Sequence, residues 1–287
     1  MKKGWKKIIG LSLLGAVFLG LAACGNSGDT SETGAAEGGN EEPKTIVVGA
    51  GATPHAEILE DVKGRLAEEG YDLEIKVFDD FVLPNTALAD GDLDINLYQH
   101  EPFLINFNEE HDTDLVVAGD TKYYFLPLGI YPGQTSSLDE LADGAKVSIP
   151  NDATNGGRAL LLLQDAGLIQ LKEDADITAT VSDIVENPKN LELVELDAAQ
   201  VVRSLDDVDI AVINANYVLG SDLSVNEDTL LTEAKDSQAA ETYACVAAVK
   251  DGAQDDEAIQ AFLAALGSDE TREFIEETYQ GAVIPVF

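Results

Sequence analysis

Two stretches of this chain follow a single plan, and that repetition limits the possible folds more than any other feature. Leu88-Ala89-Asp90-Gly91-Asp92-Leu93-Asp94-Ile95-Asn96 and Leu205-Asp206-Asp207-Val208-Asp209-Ile210-Ala211-Val212-Ile213-Asn214 each pass from a helix end through an acidic turn into a buried strand that leads to asparagine. Around them, short apolar strands alternate with helices, the signature of an α/β protein with mainly parallel sheets. Strands are predicted at residues 46–48, 73–78 and 93–97, and again at 146–149, 191–196 and 208–213. Helices are predicted at 54–69, 84–89, 157–166 and 198–205, with a final one at 257–266 that returns the chain to its first half. Two halves built alike imply two lobes with a cleft between them, residues 45–129 with 243–287 forming one and 130–242 the other. Residues 124–131 and 243–249 are expected to cross between the lobes, and the stretch 134–144 breaks what would otherwise be one continuous sheet. Ligands in open α/β sheets bind at the carboxyl ends of strands, so the loops after Val48, Leu97, Ile149 and Ile213 should line the cleft.

The N-terminus has a separate logic. Lys2, Lys3, Lys6 and Lys7 precede an apolar run of about 16 residues that closes on Leu21-Ala22-Ala23-Cys24, too short to span a bilayer comfortably. Residues 1–23 read as a signal peptide, which places the mature protein outside the cytoplasm. The Leu-Ala-Ala-Cys closure resembles the lipobox of bacterial lipoproteins, which implies cleavage before Cys24 and acylation of its sulfur. Two or more acyl chains hold a soluble domain on a membrane durably. Residues 24–44, rich in Gly, Ser, Asn, Thr and Glu, cannot bury enough surface to offset their ordering entropy and read as a flexible tether.

Only two cysteines occur, so with Cys24 acylated Cys245 is the sole thiol, no internal disulfide can form, and packing must supply the stability. The chain has 17 basic and 54 acidic residues; removing the four signal lysines leaves 13 against 54, a net charge of −41. A surface this acidic repels phosphate backbones, which excludes nucleic acid as a partner. The three histidines, His55, His100 and His111, show no metal-ligand spacing and no cysteine cluster accompanies them, so neither a metal nor a cofactor is expected.

Candidate ligand chemistry gathers in two segments. Ile149-Pro150-Asn151-Asp152-Ala153-Thr154-Asn155-Gly156-Gly157-Arg158 is a polar loop entering a helix, whose unpaired N–H groups suit an anion. Arg158, placed in the first turn, adds a planar fork for a carboxylate, and a cation there opposes the helix dipole unless an anion lies between. The alternative is a surface arginine beside a capping loop, with Asn151, Thr154 and Asn155 only satisfying backbone groups. Tyr98-Gln99-His100-Glu101-Pro102-Phe103, following the 93–97 strand, combines aromatic faces with an imidazole and suits an apolar or sulfur-containing side chain, with Phe81 as a further wall. The competing reading makes these aromatics simple core.

Pro84 to Asp94, Tyr98-Gln99-His100, Ile149 to Leu163, Glu186 to Leu191, Arg203-Ser204-Leu205 and Val212-Ile213-Asn214 together resemble the methionine-binding lipoproteins of ABC importers, the NlpA-type family, over nearly the whole chain beyond the tether. The resemblance implies a two-lobed α/β periplasmic-binding-protein fold of type II, each lobe a mixed sheet flanked by helices, closing on methionine. It further implies a monomer, anchored to the membrane by its lipid, that delivers the amino acid to a permease driven by an ATPase. By position, Arg158 resembles the carboxylate clamp and Asn214 the asparagine at the ligand's polar end. Tyr98, His100, Phe103 and Phe81 match the side-chain walls, and Asn155 lies in the matching anion loop. Cys245 stands where members of the family have a ligand-contacting asparagine, Phe81 and Phe103 where many have tyrosine, and Gly156 where a bulkier residue is common and its loss should widen the site. These departures leave open another small apolar amino acid or a methionine-containing dipeptide. An enzyme on the same scaffold lacks a nucleophile elbow, a paired acid and base, and a phosphate loop; Gly49-Ala50-Gly51-Ala52 lacks the third glycine of a dinucleotide fingerprint. A third reading is a surface adhesin or structural lipoprotein, which no amino acid would stabilise. The resemblance makes Arg158→Ala cost at least about tenfold in affinity, about 1.4 kcal/mol, with the fold intact. Replacing Cys24 with alanine should move the protein from the membrane pellet to the soluble fraction, and a variant that still pellets would contradict acylation at that residue.

Overall fold

Branched apolar runs start both halves of the molecule. The computed structural model describes residues 43–287, so the signal segment and most of the tether lie outside the described residues. From Ile46-Val47-Val48 grows β1 (Lys44–Gly51), followed by α1 (Glu57–Glu68), β2 (Tyr71–Phe78), α2 (Leu83–Asp90), β3 (Ile95–His100), α3 (Glu101–His111), β4 (Leu115–Val117) and β5 (Tyr124–Phe125). The second half runs through β6 (Leu128–Pro132), β7 (Lys146–Pro150), α4 (Ala153–Asp165), β8 (Gln170–Leu171), β9 (Ile184–Glu186), β10 (Glu192–Leu196), α5 (Ala198–Val201), β11 (Ile210–Asn214), α6 (Ala215–Leu219) and β12 (Leu231–Thr232). The chain then returns through α7 (Gln238–Thr242), β13 (Cys245–Lys250), α8 (Glu257–Leu266), α9 (Asp269–Tyr279) and β14 (Ile284–Pro285).

Both five-stranded sheets share one architecture. The first has the order β2-β1-β3-β13-β4 and the second β10-β7-β11-β6-β12. In each, three parallel strands are followed by two antiparallel pairings, so only the fourth strand, β13 or β6, runs against the rest; the sheets are mixed and their parallel cores correspond strand for strand. The repeated acidic turn has a structural purpose that explains its recurrence. Asp94 Oδ2 accepts from the Val47 N–H at 2.8 Å, and its own N–H donates to the Val47 carbonyl. Asp209 Oδ2 accepts from the Lys146 N–H, also at 2.8 Å, and its N–H donates to the Lys146 carbonyl. Each aspartate therefore completes the pairing of the neighbouring parallel strand where the ladder begins, satisfying a donor that would otherwise be lost.

Helices cover the sheets through apolar stripes. α1 buries Ile58, Leu59, Val62 and Leu66, the spacing of one helix face. α2 ends at Gly91, whose φ of 84° is left-handed and costs glycine nothing. The first lobe packs Ile46, Val48, Leu73, Phe262 and Ile275 into one core, while Val147, Ile149, Leu160, Leu163 and Val212 fill another beneath the second sheet.

Several boundaries differ from the sequence expectation. β3 extends to His100, so Tyr98, Gln99 and His100 are strand residues and not a loop after it. The predicted 54–69 helix does start after extended Thr53 (φ −124°, ψ 133°), but its first residues belong to a wide π turn at 52–56 and regular α1 begins at Glu57. α4 starts four residues early at Ala153, capped by Asp152. The helix at 257–266 is not the last, since α9 follows it. The second crossing between sheets falls at 233–244, and 245–250 is already a strand of the first sheet. Asp94→Ala and Asp209→Ala should each lower unfolding stability by about 1–3 kcal/mol, additively because the sites share no partner, as read by urea titration.

Candidate functional site

The end of β3 and the start of α4 meet the end of β11 at one cavity. It is lined by Phe81, Tyr98, Gln99, His100, Phe103, Leu126, Asn155, Arg158, Asn214, Asn216, Tyr243 and Cys245, and measures about 420 Å³ with its open mouth included. All eight residues expected to hold a ligand, Arg158, Asn214, Tyr98, His100, Phe103, Phe81, Asn155 and Cys245, line it.

One wall is aromatic. Phe81 packs edge-on to Phe103 at 5.8 Å and lies 6.2 Å from Tyr98, and Tyr98 meets Phe103 at 6.3 Å in a second T-shaped contact. The Tyr98 hydroxyl donates to the Phe81 carbonyl at 2.7 Å, which fixes the loop bearing Phe81. Tyr217, from the opposite lobe, lies 5.2 Å from Phe81 and closes the box across the cleft. Behind this wall a buried amide cluster holds β3: Asn85 donates to Gln99 Oε1 at 2.8 Å, and Gln99 and Asn96 donate to Asn85 Oδ1 at 2.7 and 2.8 Å. Pairing of every member makes such a cluster rigid.

The polar wall has a direction set by Asp152. As the α4 N-cap, its carboxylate accepts from the Asn155 N–H at 2.9 Å and from Asn155 Nδ2 at 3.0 Å. That contact orients the Asn155 amide, whose Oδ1 accepts from Asn214 Nδ2 at 2.8 Å and from His100 Nε2 at 3.4 Å. His100 Nδ1 accepts from the Phe103 N–H at 3.2 Å, so the proton sits on Nε2 and the ring is neutral. Burial pushes its pKa down to about 3, with the nearby Arg158 charge acting in the same direction. With its nitrogen committed to Asn155, Asn214 is left with a buried Oδ1 that has no partner among the described residues, an acceptor awaiting a donor.

Another part of the lining is a donor. Arg158 is 3% exposed, its guanidinium stacked 4.3 Å from the centroid of the Tyr243 ring. Its Nε donates to Glu233 Oε1 at 2.8 Å and Nη2 donates to Glu233 Oε2 and, at 2.9 Å, to the Leu126 carbonyl. The Tyr243 hydroxyl is buried and without a partner among the described residues. Burial raises the Cys245 thiol to about 12, so this wall stays uncharged.

Three sequence inferences change. Arg158 lies beyond the first turn of α4, and the helix N-terminus is already capped by Asp152, so the anion-at-the-helix-end argument fails. Truncating Arg158 would strand a buried carboxylate, so Arg158→Ala costs about 3–5 kcal/mol of stability as well as affinity. Gly156 does not line the cavity; a Cβ there would meet the Pro150 carbonyl at 3.0 Å, so its size serves the packing of α4 on β7. Glu233, Tyr243 and Asn216 escaped sequence reading. Only Asp152 had a local signal, an acidic residue directly before a helix.

The family model for NlpA lipoprotein matches residues 46–287. The D-methionine-binding lipoprotein MetQ of Escherichia coli K12 is 40% identical over 248 residues, 85% of this chain and 89% of that protein. The structure of a nutrient binding protein from Burkholderia cenocepacia bound to methionine is 40% identical, with a TM-score of 0.79 over 84% of this chain and all of that one. A candidate lipoprotein of Ruminococcus gnavus is 54% identical, with a TM-score of 0.83 over 85% of this chain and all of that one.

His55 is also buried, its Nδ1 bonded to the Tyr124 hydroxyl at 2.8 Å, and burial depresses its pKa to about 3. An unfolded histidine takes its proton near pH 6.5, so between about 6.5 and 3 the unfolded chain binds more protons. Stability should therefore fall as pH drops through that window, by up to about 1.4 kcal/mol per unit for each of His55 and His100. His55→Gln should flatten the slope of unfolding free energy against pH relative to the parent; an unchanged slope would contradict the neutral buried ring.

Proposed function

The chain belongs to the NlpA lipoprotein family, and on that premise we propose that it is a binding protein, not an enzyme, that captures methionine between its lobes for an ABC importer. The observation that carries this reading is a pocket with a donor end at Arg158, an acceptor end at Asn214 and an aromatic box between its walls. A zwitterionic amino acid matches both ends, and a thioether packs well against ring edges. The carboxylate meets the free face of the Arg158 guanidinium and the ammonium meets Asn214 Oδ1. Closure of one lobe on the other excludes water and strengthens both contacts in the lowered local dielectric. Phe81, Tyr98, Phe103 and His100 enclose the side chain, Asn155 holds Asn214 in register, and the Cys245 thiol fills the remaining wall.

Cys24 bears the lipid that holds the protein, as a monomer outside the cytoplasm, near a permease and its ATPase. Residues 45–129 with 243–287 act as one lobe and 130–242 as the other. Binding to the native state alone stabilises by about 2.7 kcal/mol at ligand one hundred times Kd. Methionine should accordingly raise the melting temperature of the purified protein, and the absence of stabilisation by any amino acid would sink the proposal. Asn214→Ala should weaken methionine at least about tenfold, and Arg158→Lys, which keeps a charge for Glu233 but loses the planar fork, by a similar factor. Calorimetry reads both.

A further inference from the structure

The guanidinium of Arg158 does not meet a ligand as a free cation. Glu233 takes its Nε and Nη2 edge through two hydrogen bonds, and the two side chains are 4% and 8% exposed. Glu233 is itself anchored, since its Oε2 accepts from the Leu128 N–H at 2.8 Å and its backbone N–H donates to the Leu128 carbonyl. The pair is therefore internally balanced before any ligand arrives.

The other groups facing the pocket add no positive charge. Asp152 contributes a further carboxylate behind Asn155. His100 is neutral, with one nitrogen accepting and the other donating. Cys245 and Tyr243 line the wall as uncharged groups. Lys122 is spent on Glu101 at 3.7 Å and on the Glu241 carbonyl at 2.9 Å, outside the lining. Arg203 lies in the outer vestibule, which also holds Asp79 and Asp80. Among the described residues, Asn214 Oδ1 is a buried acceptor of the lining without a partner and asks for a donor, while the unpartnered Tyr243 hydroxyl can donate or accept. A ligand carrying a carboxylate alone would bring an uncompensated charge into a desolvated space, whereas a zwitterion brings none.

We infer that Glu233 is a specificity-determining residue: by occupying the back edge of Arg158, its carboxylate restricts the pocket to ligands that carry their own ammonium and excludes monoanions bearing the same side chain. The inference rests on reading this cavity as the methionine site. It differs from a simple clamp, in which the arginine would welcome any carboxylate of suitable shape.

Calorimetry on the purified protein with L-methionine, 4-(methylthio)butanoate and L-methionine amide tests it. The parent should bind the butanoate roughly a hundredfold or more weakly than methionine, because a buried polar site rejects analogues that leave its groups unpaired. In Glu233→Gln, whose shape is retained, the butanoate should gain at least about tenfold relative to methionine. An unchanged ratio in a variant that circular dichroism shows to be folded would overturn the role of Glu233. Should that variant fail to fold, the parent decides: with Glu233 offsetting Arg158, the further Asp152 carboxylate and the open Asn214 acceptor require the monocationic amide to bind more tightly than the monoanionic butanoate, and the reverse order would overturn the inference. Failure of methionine itself to bind the parent would instead remove the functional reading, and this inference with it.

Discussion

A buried ion pair beside the first crossing between the sheets organises this molecule. Arg158, on α4, reaches Glu233, just after β12, and both are fastened to the first crossing segment through the Leu126 carbonyl and the Leu128 N–H. Desolvating two such charges is costly, and only tight geometry with additional hydrogen bonds offsets that cost. Both conditions hold here, which concentrates a strong and direction-sensitive contact where the chain passes between lobes. The same guanidinium lines the cavity, so the group proposed to grip a carboxylate is also the group that ties these segments together.

A second chain of contacts gives the pocket its polarity. Asp152 can only accept when ionised, so it dictates which way the Asn155 amide points, and Asn155 in turn dictates the orientation of Asn214. The consequence is a cavity lined by an open acceptor, a cationic donor and uncharged aromatic walls. Neutral His100 fits this arrangement because a second cation near Arg158 would be disfavoured twice, by burial and by repulsion. On the proposed reading, specificity is carried by two carboxylates, Asp152 and Glu233, that stand behind the groups in the cavity lining.

Much of the fold was legible because local rules and tertiary demand agree. The 88–96 and 205–214 repeat marked equivalent places in the two sheets, and its aspartates proved to close the same hydrogen-bond pairs at Val47 and Lys146. Alternating strands and amphipathic helices placed β2, β7, β10 and α8 closely, and found the centre of β1. Errors fell where a side chain overrode the local pattern. His100 caps α3 through the Phe103 N–H, letting β3 run on to the helix without a loop, and the Asp152 cap starts α4 four residues before the expected start at Gly157.

By itself the sequence determined the two-lobed α/β plan and the residue types gathered at the strand ends, because hydrophobic period, caps and acidic turns act over a few neighbouring residues. It also supplied the aromatic and amide groups of the pocket, each adjacent to a strand it could recognise as buried. Tertiary structure alone decided that Glu233 lies against Arg158, 75 positions away in the chain, and that Asn214 presents its oxygen to the cavity. Those choices depend on how two sheets and both crossings converge, and an electrostatic pairing between distant segments leaves no periodic trace in either of them.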